Sequence, residues 1–80
     1  MVGNSVRIIG NQAYISRYEV MEAFFRTEEE ENEDMAVKLN EMINIFCDEE
    51  RKTKRNVLSL PFEVNLYENI IEYINSTIQN

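Results

Sequence analysis

The sequence predicts an α+β domain whose elements run strand, strand, helix, helix, strand, helix. Three observations carry this prediction. Val6-Arg-Ile-Ile9 and Gln12-Ala-Tyr-Ile15 flank Gly10-Asn11, with one face apolar and the other mixed when the two segments are paired as strands. Met35, Leu39, Met42 and Phe46 recur at helical spacing. The last quarter, Asn56 to Ile74, reads as a short strand, a proline and an amphipathic helix. A period of two residues marks a half-buried strand, and a period near 3.6 marks one face of a helix. Eighty residues are enough for one core, so 1–80 is read as a single small domain, a β-hairpin plus a third short strand packed on three helices.

The hairpin is read from Val6-Arg-Ile-Ile9, Gly10-Asn11 and Gln12-Ala-Tyr-Ile15. Glycine at the first central position suits a two-residue type II′ turn. That register pairs Ile8 with Ala13 and Val6 with Ile15 on one face, and Arg7 with Tyr14 on the other. The apolar face needs a lid.

Ser16 and Glu19 form a capping box, with Ile15 and Val20 as its hydrophobic staple, so the first helix is expected from Arg17 to about Arg26. Val20, Met21, Phe24 and Phe25 fall on one stripe and are read as core. The acidic run Glu28-Glu29-Glu30-Glu31-Asn32-Glu33-Asp34 follows, and 27–34 is read as an acidic loop or helix start. Thr27 with Glu30 offers a second capping box, and Asn32 offers another start. Carboxylates suit a helix N-terminus, but they also repel one another, so both starts stay open. From Met35 the second helix is expected through about Asp48, with Ile43 widening its apolar stripe.

Arg51, Lys52, Lys54 and Arg55 are four of the chain's eight basic residues, and 49–56 is read as a basic, solvated connector. Asn56 to Leu60 is compatible with a strand and Pro61 is expected to end it. Asn65 and Glu68 mark the N-terminus of a helix through about Ser76, with Tyr67, Ile70, Ile71, Ile74 and Ile78 on one broad face.

Composition narrows function by exclusion. A net charge of -7 opposes general binding to DNA or anionic membranes, which depends on cations neutralising phosphate. The basic cluster lacks the interleaved aromatics that single-strand binding favours. Cys47 has no cysteine partner for a disulfide, which fits a reducing compartment. No apolar run approaches the roughly 20 residues that span a bilayer. The opening MVGNSVR resembles neither a signal nor a transit peptide, so a cytoplasmic or nuclear location is expected, including the host cell of a virus.

Chemistry is equally restricted. The chain has no histidine, no CxxC pair, no glycine-rich phosphate loop and no EF-hand spacing, so no metal or cofactor is expected. Cys47 has no histidine to activate it and is read as a small residue at the rim of the core. The chain is therefore expected not to be an enzyme.

Val57-Leu-Ser-Leu60-Pro61 followed by Tyr67-Glu-Asn-Ile70-Ile71-Glu-Tyr73 resembles the third strand and following helix of the BTB/POZ domains in Skp-type cullin adaptors and elongin C. Val37-Lys-Leu39-Asn-Glu-Met42-Ile43 is similar to an upstream helix of that family, and the hairpin and first helix occupy matching places. The link after Pro61 is one residue shorter than the family's usual one, and the acidic insertion lengthens the connection before Met35. The elements that hold partners in that family lie beyond the position of Asn80, so the resemblance implies a minimal, truncated core.

Two functions are expected from these readings. The first is a non-enzymatic protein–protein interaction module, a POZ-like adaptor core or mimic. It would dock a helix of a cullin-type protein through an exposed patch around Phe62 and Tyr73. The bland alternative is that Phe62 and Tyr73 only cap the core. The second function is a small acidic inhibitor of phage or viral type, in which Glu28, Glu29, Glu30, Glu31, Glu33 and Asp34 imitate phosphates in the basic cleft of a nucleic-acid-handling factor. The bland alternative there is a solvated helix start. A homodimer is a third possibility, because an exposed first strand can pair with its twin.

Overall fold

The computed structural model describes residues 6–79, with side chains through Ser76. Its elements are β1 (Arg7–Ile9), β2 (Gln12–Ser16), α1 (Arg17–Glu30), α2 (Glu33–Thr53), β3 (Ser59–Glu63) and α3 (Glu68–Gln79). The order ββααβα is the expected one. The three strands form one antiparallel sheet in the order β1-β2-β3.

The hairpin keeps its predicted register, pairing Arg7 with Tyr14, Ile8 with Ala13 and Ile9 with Gln12. Gly10 has φ +65, whereas Asn11 is not among the positive-φ residues, as a type II′ turn requires. The pairing begins at Arg7, so the expected Val6–Ile15 pair falls outside the strand, and Val6 packs half-buried against the core.

β3 is displaced from its expected span and carries Pro61 inside it, opposite Tyr14. Hydrogen bonds from Arg17 N to Leu58 O and from Val64 N to Asn11 O, each 2.9 Å, flank this ladder. Antiparallel ladders alternate bonded and non-bonded pairs, which makes Tyr14–Pro61 a non-bonded pair. The missing N–H of Pro61 thus faces the open edge, where it costs no ladder bond.

The start of α1 follows its sequence signal. Ser16 Oγ accepts from Glu19 N at 3.0 Å, and Glu19 Oε1 accepts from Ser16 N at 2.8 Å. The end of α1 does not. The helix continues past Arg26 because Thr27 is buried and donates its hydroxyl to Phe24 O at 2.5 Å, rather than capping a new helix. Glu31 then adopts the left-handed conformation at φ 57, with Asn32 N bonded to Thr27 O at 2.9 Å. Of the two open starts the second is the real one: Asn32 caps α2 and accepts from Met35 N at 3.4 Å.

α2 outruns its expected end and takes in Arg51 and Lys52, so the connector shrinks to residues 54–58. These cations suit the negative end of the helix and pair one turn back, Arg51 with Asp48 at 2.9 Å and Lys52 with Glu49 at 3.7 Å. Lys54 ends the helix at φ 59. α3 begins at Glu68 and not after Asn65, because the N–H groups of Leu66 and Tyr67 are bound in a turn on Glu63 and Val64. It runs past Ser76 to Gln79, and the side chain of Ile78 lies outside the described residues.

The core lies between one sheet face and the helices. Ala13, Ile15 and Phe62 meet Val20 and Ala23 of α1, Leu39, Met42 and Phe46 of α2, and Ile70, Ile71 and Ile74 of α3. Phe62 sits between the rings of Phe46 and Tyr67, with centroids 6.0 and 5.3 Å away. Cys47 is half-buried.

Candidate protein-docking surface

α1 carries more apolar residues than one face can bury. Glu19, Val20, Ala23 and Thr27 are its buried residues, and they fall within about a third of a turn of one another at 100° per residue. Tyr18, Met21 and Phe25 project from the opposite side at i, i+3 and i+7. Tyr18 is 71% exposed and Phe25 57%, while Met21 is half-buried between them. Phe25 was expected in the core with Val20 and Phe24. It turns outward because the small side chains of Ala23 and Thr27 occupy the inner face.

Leu58, 75% exposed, extends the stripe at the N-terminal end of α1, where its carbonyl accepts from Arg17 N. A groove of about 370 Å³ lies there, lined by Ser16, Arg17, Tyr18, Met21 and Leu58. At the other end a groove of about 340 Å³ is lined by Glu22, Phe25, Arg26, Glu29 and Glu30. The two grooves flank the line of Tyr18 and Phe25, the first on the Arg17–Met21 side of the helix and the second on the Glu22–Arg26 side. The carboxylate of Glu22 beside Tyr18 raises that phenol's pKa, by hydrogen bonding and then by its charge.

The acidic residues singled out in the sequence form the corner between α1 and α2. Glu28, Glu29 and Glu30 are in the last turn of α1, Glu31 is its left-handed cap, and Glu33 and Asp34 open α2. All six are exposed. Glu30 is the one drawn back to the protein: its carboxylate accepts from Arg26 Nε and from the Tyr73 hydroxyl, each at 2.8 Å. These bonds, Arg26 first, hold its carboxyl below the usual range. The structure thus joins Glu30 and Tyr73, which the sequence had placed in different surfaces.

The patch expected around Phe62 and Tyr73 does not form. Phe62 is 4% exposed because its strand position faces the core, and Tyr73 is half-buried with its hydroxyl on Glu30. Tyr18, Phe25 and Leu58 were not read as surface residues. A helical plot of α1 holds the missed signal, since Tyr18 and Phe25 stand opposite Ala23 and Thr27 on it.

Among the described residues no three His, Cys, Asp or Glu side chains form a group suited to a metal ion, and no helix is long and apolar enough to cross a membrane. A third depression, about 360 Å³, lies between the start of α2 and the turn before α3, where Asp34, Lys38 and Glu68 mix charges around Leu66. Comparison with family models, curated proteins and solved structures gives no match.

Proposed function

We propose that this chain is a non-enzymatic protein–protein interaction module that docks its partner on the outward face of α1. The observation that carries this reading is the exposure of Tyr18, Phe25 and Leu58 beside Met21, as one stripe on a helix already packed on its other side. Large apolar side chains gathered on a rigid element supply the buried centre of an interface. The order of hairpin, two helices, strand and helix supports a POZ-like core for the module, with the α1 stripe replacing the patch first expected at Phe62 and Tyr73.

A second reading, the acidic inhibitor, draws support from the display of Glu28, Glu29, Glu31, Glu33 and Asp34 at one corner. One comparison separates the two. Proteins captured from extract by the wild type are compared with those captured by a Tyr18→Ser/Phe25→Ser/Leu58→Ser variant and by a variant with Glu31, Glu33 and Asp34 changed to Gln or Asn. The docking reading expects the partner to be lost with the first variant and kept with the second. Retention of the same proteins by the apolar variant would overturn it, and loss with the carboxylate variant alone would establish the inhibitor.

A further inference from the structure

We infer that the α1 stripe takes a cationic amphipathic helix, with the basic end of that helix over Phe25. This rests on the docking reading above and names the chemistry of the occupant. The argument begins with the neighbours of Phe25 on α1. Positions three and four residues away are the ones a helical side chain meets, and for Phe25 these are Met21, Glu22, Glu28 and Glu29. An exposed apolar anchor is therefore framed by three carboxylates, all exposed. The nearby cation offsets them only in part, because Arg26 is hydrogen-bonded to Glu30 at 2.8 Å, lies 5.8 Å over the Tyr73 ring and acts on Glu29 through its charge alone.

Charge decides between occupants. A second copy docking with its α1 parallel would bring Glu22, Glu28 and Glu29 against the same carboxylates. Antiparallel docking sets them against the Leu58 end, where Arg17 is already paired with Glu50, and the two copies still repel through a net charge of -7 each. A neutral apolar segment would leave the carboxylates beside a desolvated contact without partners. A helix with Lys or Arg flanking its apolar residues meets both halves of the surface, and long basic side chains cover apolar area with their stems while their heads reach the carboxylates. α1 has 14 residues, about 21 Å of helix, so about four turns of partner helix match its length.

The stripe also has a direction. Its Leu58 end is preceded in the chain by Lys54 and Arg55, and its Phe25 end is followed by the acidic run. A helix with acidic residues in its first turn and basic residues in its last, the usual distribution, would lie parallel to α1.

Fluorescence anisotropy of labelled synthetic peptides tests this on the full chain. The probe is an 18-residue helical peptide with Leu at i, i+3, i+4 and i+7 and Lys on its flanks, and the control carries Glu in place of each Lys. The Lys peptide is expected to bind saturably and at least about tenfold more tightly than the Glu peptide. Glu22→Lys/Glu29→Lys should reverse that order, and Phe25→Ser should weaken both. Equal affinity for the two peptides, tighter binding of the Glu peptide, or no change on charge reversal would overturn the inference while leaving a docking role for the stripe intact. Absence of saturable Lys-peptide binding would overturn it too, and so would a concentration-dependent dimer that Phe25→Ser abolishes, which would assign the face to a second copy. Folding of each variant is verified by circular dichroism, and recovery of Glu-peptide binding by the Lys variant excludes simple damage.

Discussion

Tyr73 on α3 donates its hydroxyl hydrogen bond to Glu30 on α1 at 2.8 Å, across 43 residues of sequence. Burial first, and the Glu30 bond second, push the Tyr73 phenol up to about 12 from its ordinary value of 10.0. The folded chain therefore holds this proton more tightly than the unfolded chain does. A group raised in the folded state contributes fully below its unfolded pKa and loses the contribution as pH rises through its folded one, here from about 10 to about 12. Melting temperature should fall more steeply across that window for the wild type than for Tyr73→Phe. Parallel curves would show that the phenol is not coupled to folding.

Glu50 works at a second junction. One carboxylate oxygen, Oε2, accepts from Arg17 Nη1 at the start of α1 and from Val57 N at 3.1 Å on the approach to β3. The arginine side chain is 43% exposed, so the ion pair by itself is worth under about 1 kcal/mol. Losing the carboxylate also leaves the Val57 N–H without its acceptor, so Glu50→Ala should cost about 1–2 kcal/mol and Arg17→Ala less. Urea unfolding of both variants checks the order. A larger loss for Arg17→Ala would place the stabilisation in the ion pair.

Two helix ends carry non-glycine residues in the left-handed region, Glu31 at φ 57 and Lys54 at φ 59. That conformation costs an ordinary residue roughly 1 kcal/mol, which glycine avoids. Glu31→Gly and Lys54→Gly should each raise stability by up to about 1 kcal/mol, measured as a shift of the denaturation midpoint. Glu31→Gly should gain more, because it also removes a like charge from the acidic corner. A drop in stability for both variants would mean that these side chains stabilise their caps.

The element order and hairpin register were legible because they rest on local patterns: Gly10 for the turn, Ser16 and Glu19 for the cap, and the spacing of Met35, Leu39, Met42 and Phe46 for α2. The misread boundaries were settled by tertiary contacts. Thr27 has the composition of a cap, yet burial commits it to the core. Pro61 reads as a stop until the sheet order places it on an edge strand. The candidate site was hardest to see, since choosing the buried face of α1 requires knowing that Ala23 and Thr27 face the other helices. Hydrophobicity favours Phe25 for that place, but close helix packing favours the smaller side chains.

Pro61 gives the edge strand a protective role. Its ring nitrogen faces the open side of β3, where any other residue would present a free N–H to a passing strand. Pro61→Thr should leave unfolding within about 0.5 kcal/mol of wild type while increasing aggregation in static light scattering at high concentration. Unchanged scattering would show that another feature guards this edge.

Phe25 and Phe62 give the sharpest contrast, because one residue type plays opposite parts. Phe62 is 4% exposed and packed between Phe46 and Tyr67, so Phe62→Ala leaves a cavity and should cost about 3–5 kcal/mol. A chain of 80 residues has roughly 4–12 kcal/mol in total, so that variant should be largely unfolded at moderate temperature. Phe25 is 57% exposed and its ring contact is an edge-to-face approach to Phe24 at 6.4 Å. Phe25→Ser should shift stability by less than about 1 kcal/mol and reduce binding of the hydrophobic dye ANS, since it removes part of the one stripe that α1 leaves uncovered. Thermal unfolding of both variants decides the matter. Comparable destabilisation would place Phe25 in the core after all, whereas a stable Phe25→Ser protein with reduced dye binding would show an exposed aromatic side chain that folding does not need, as the proposed docking face requires.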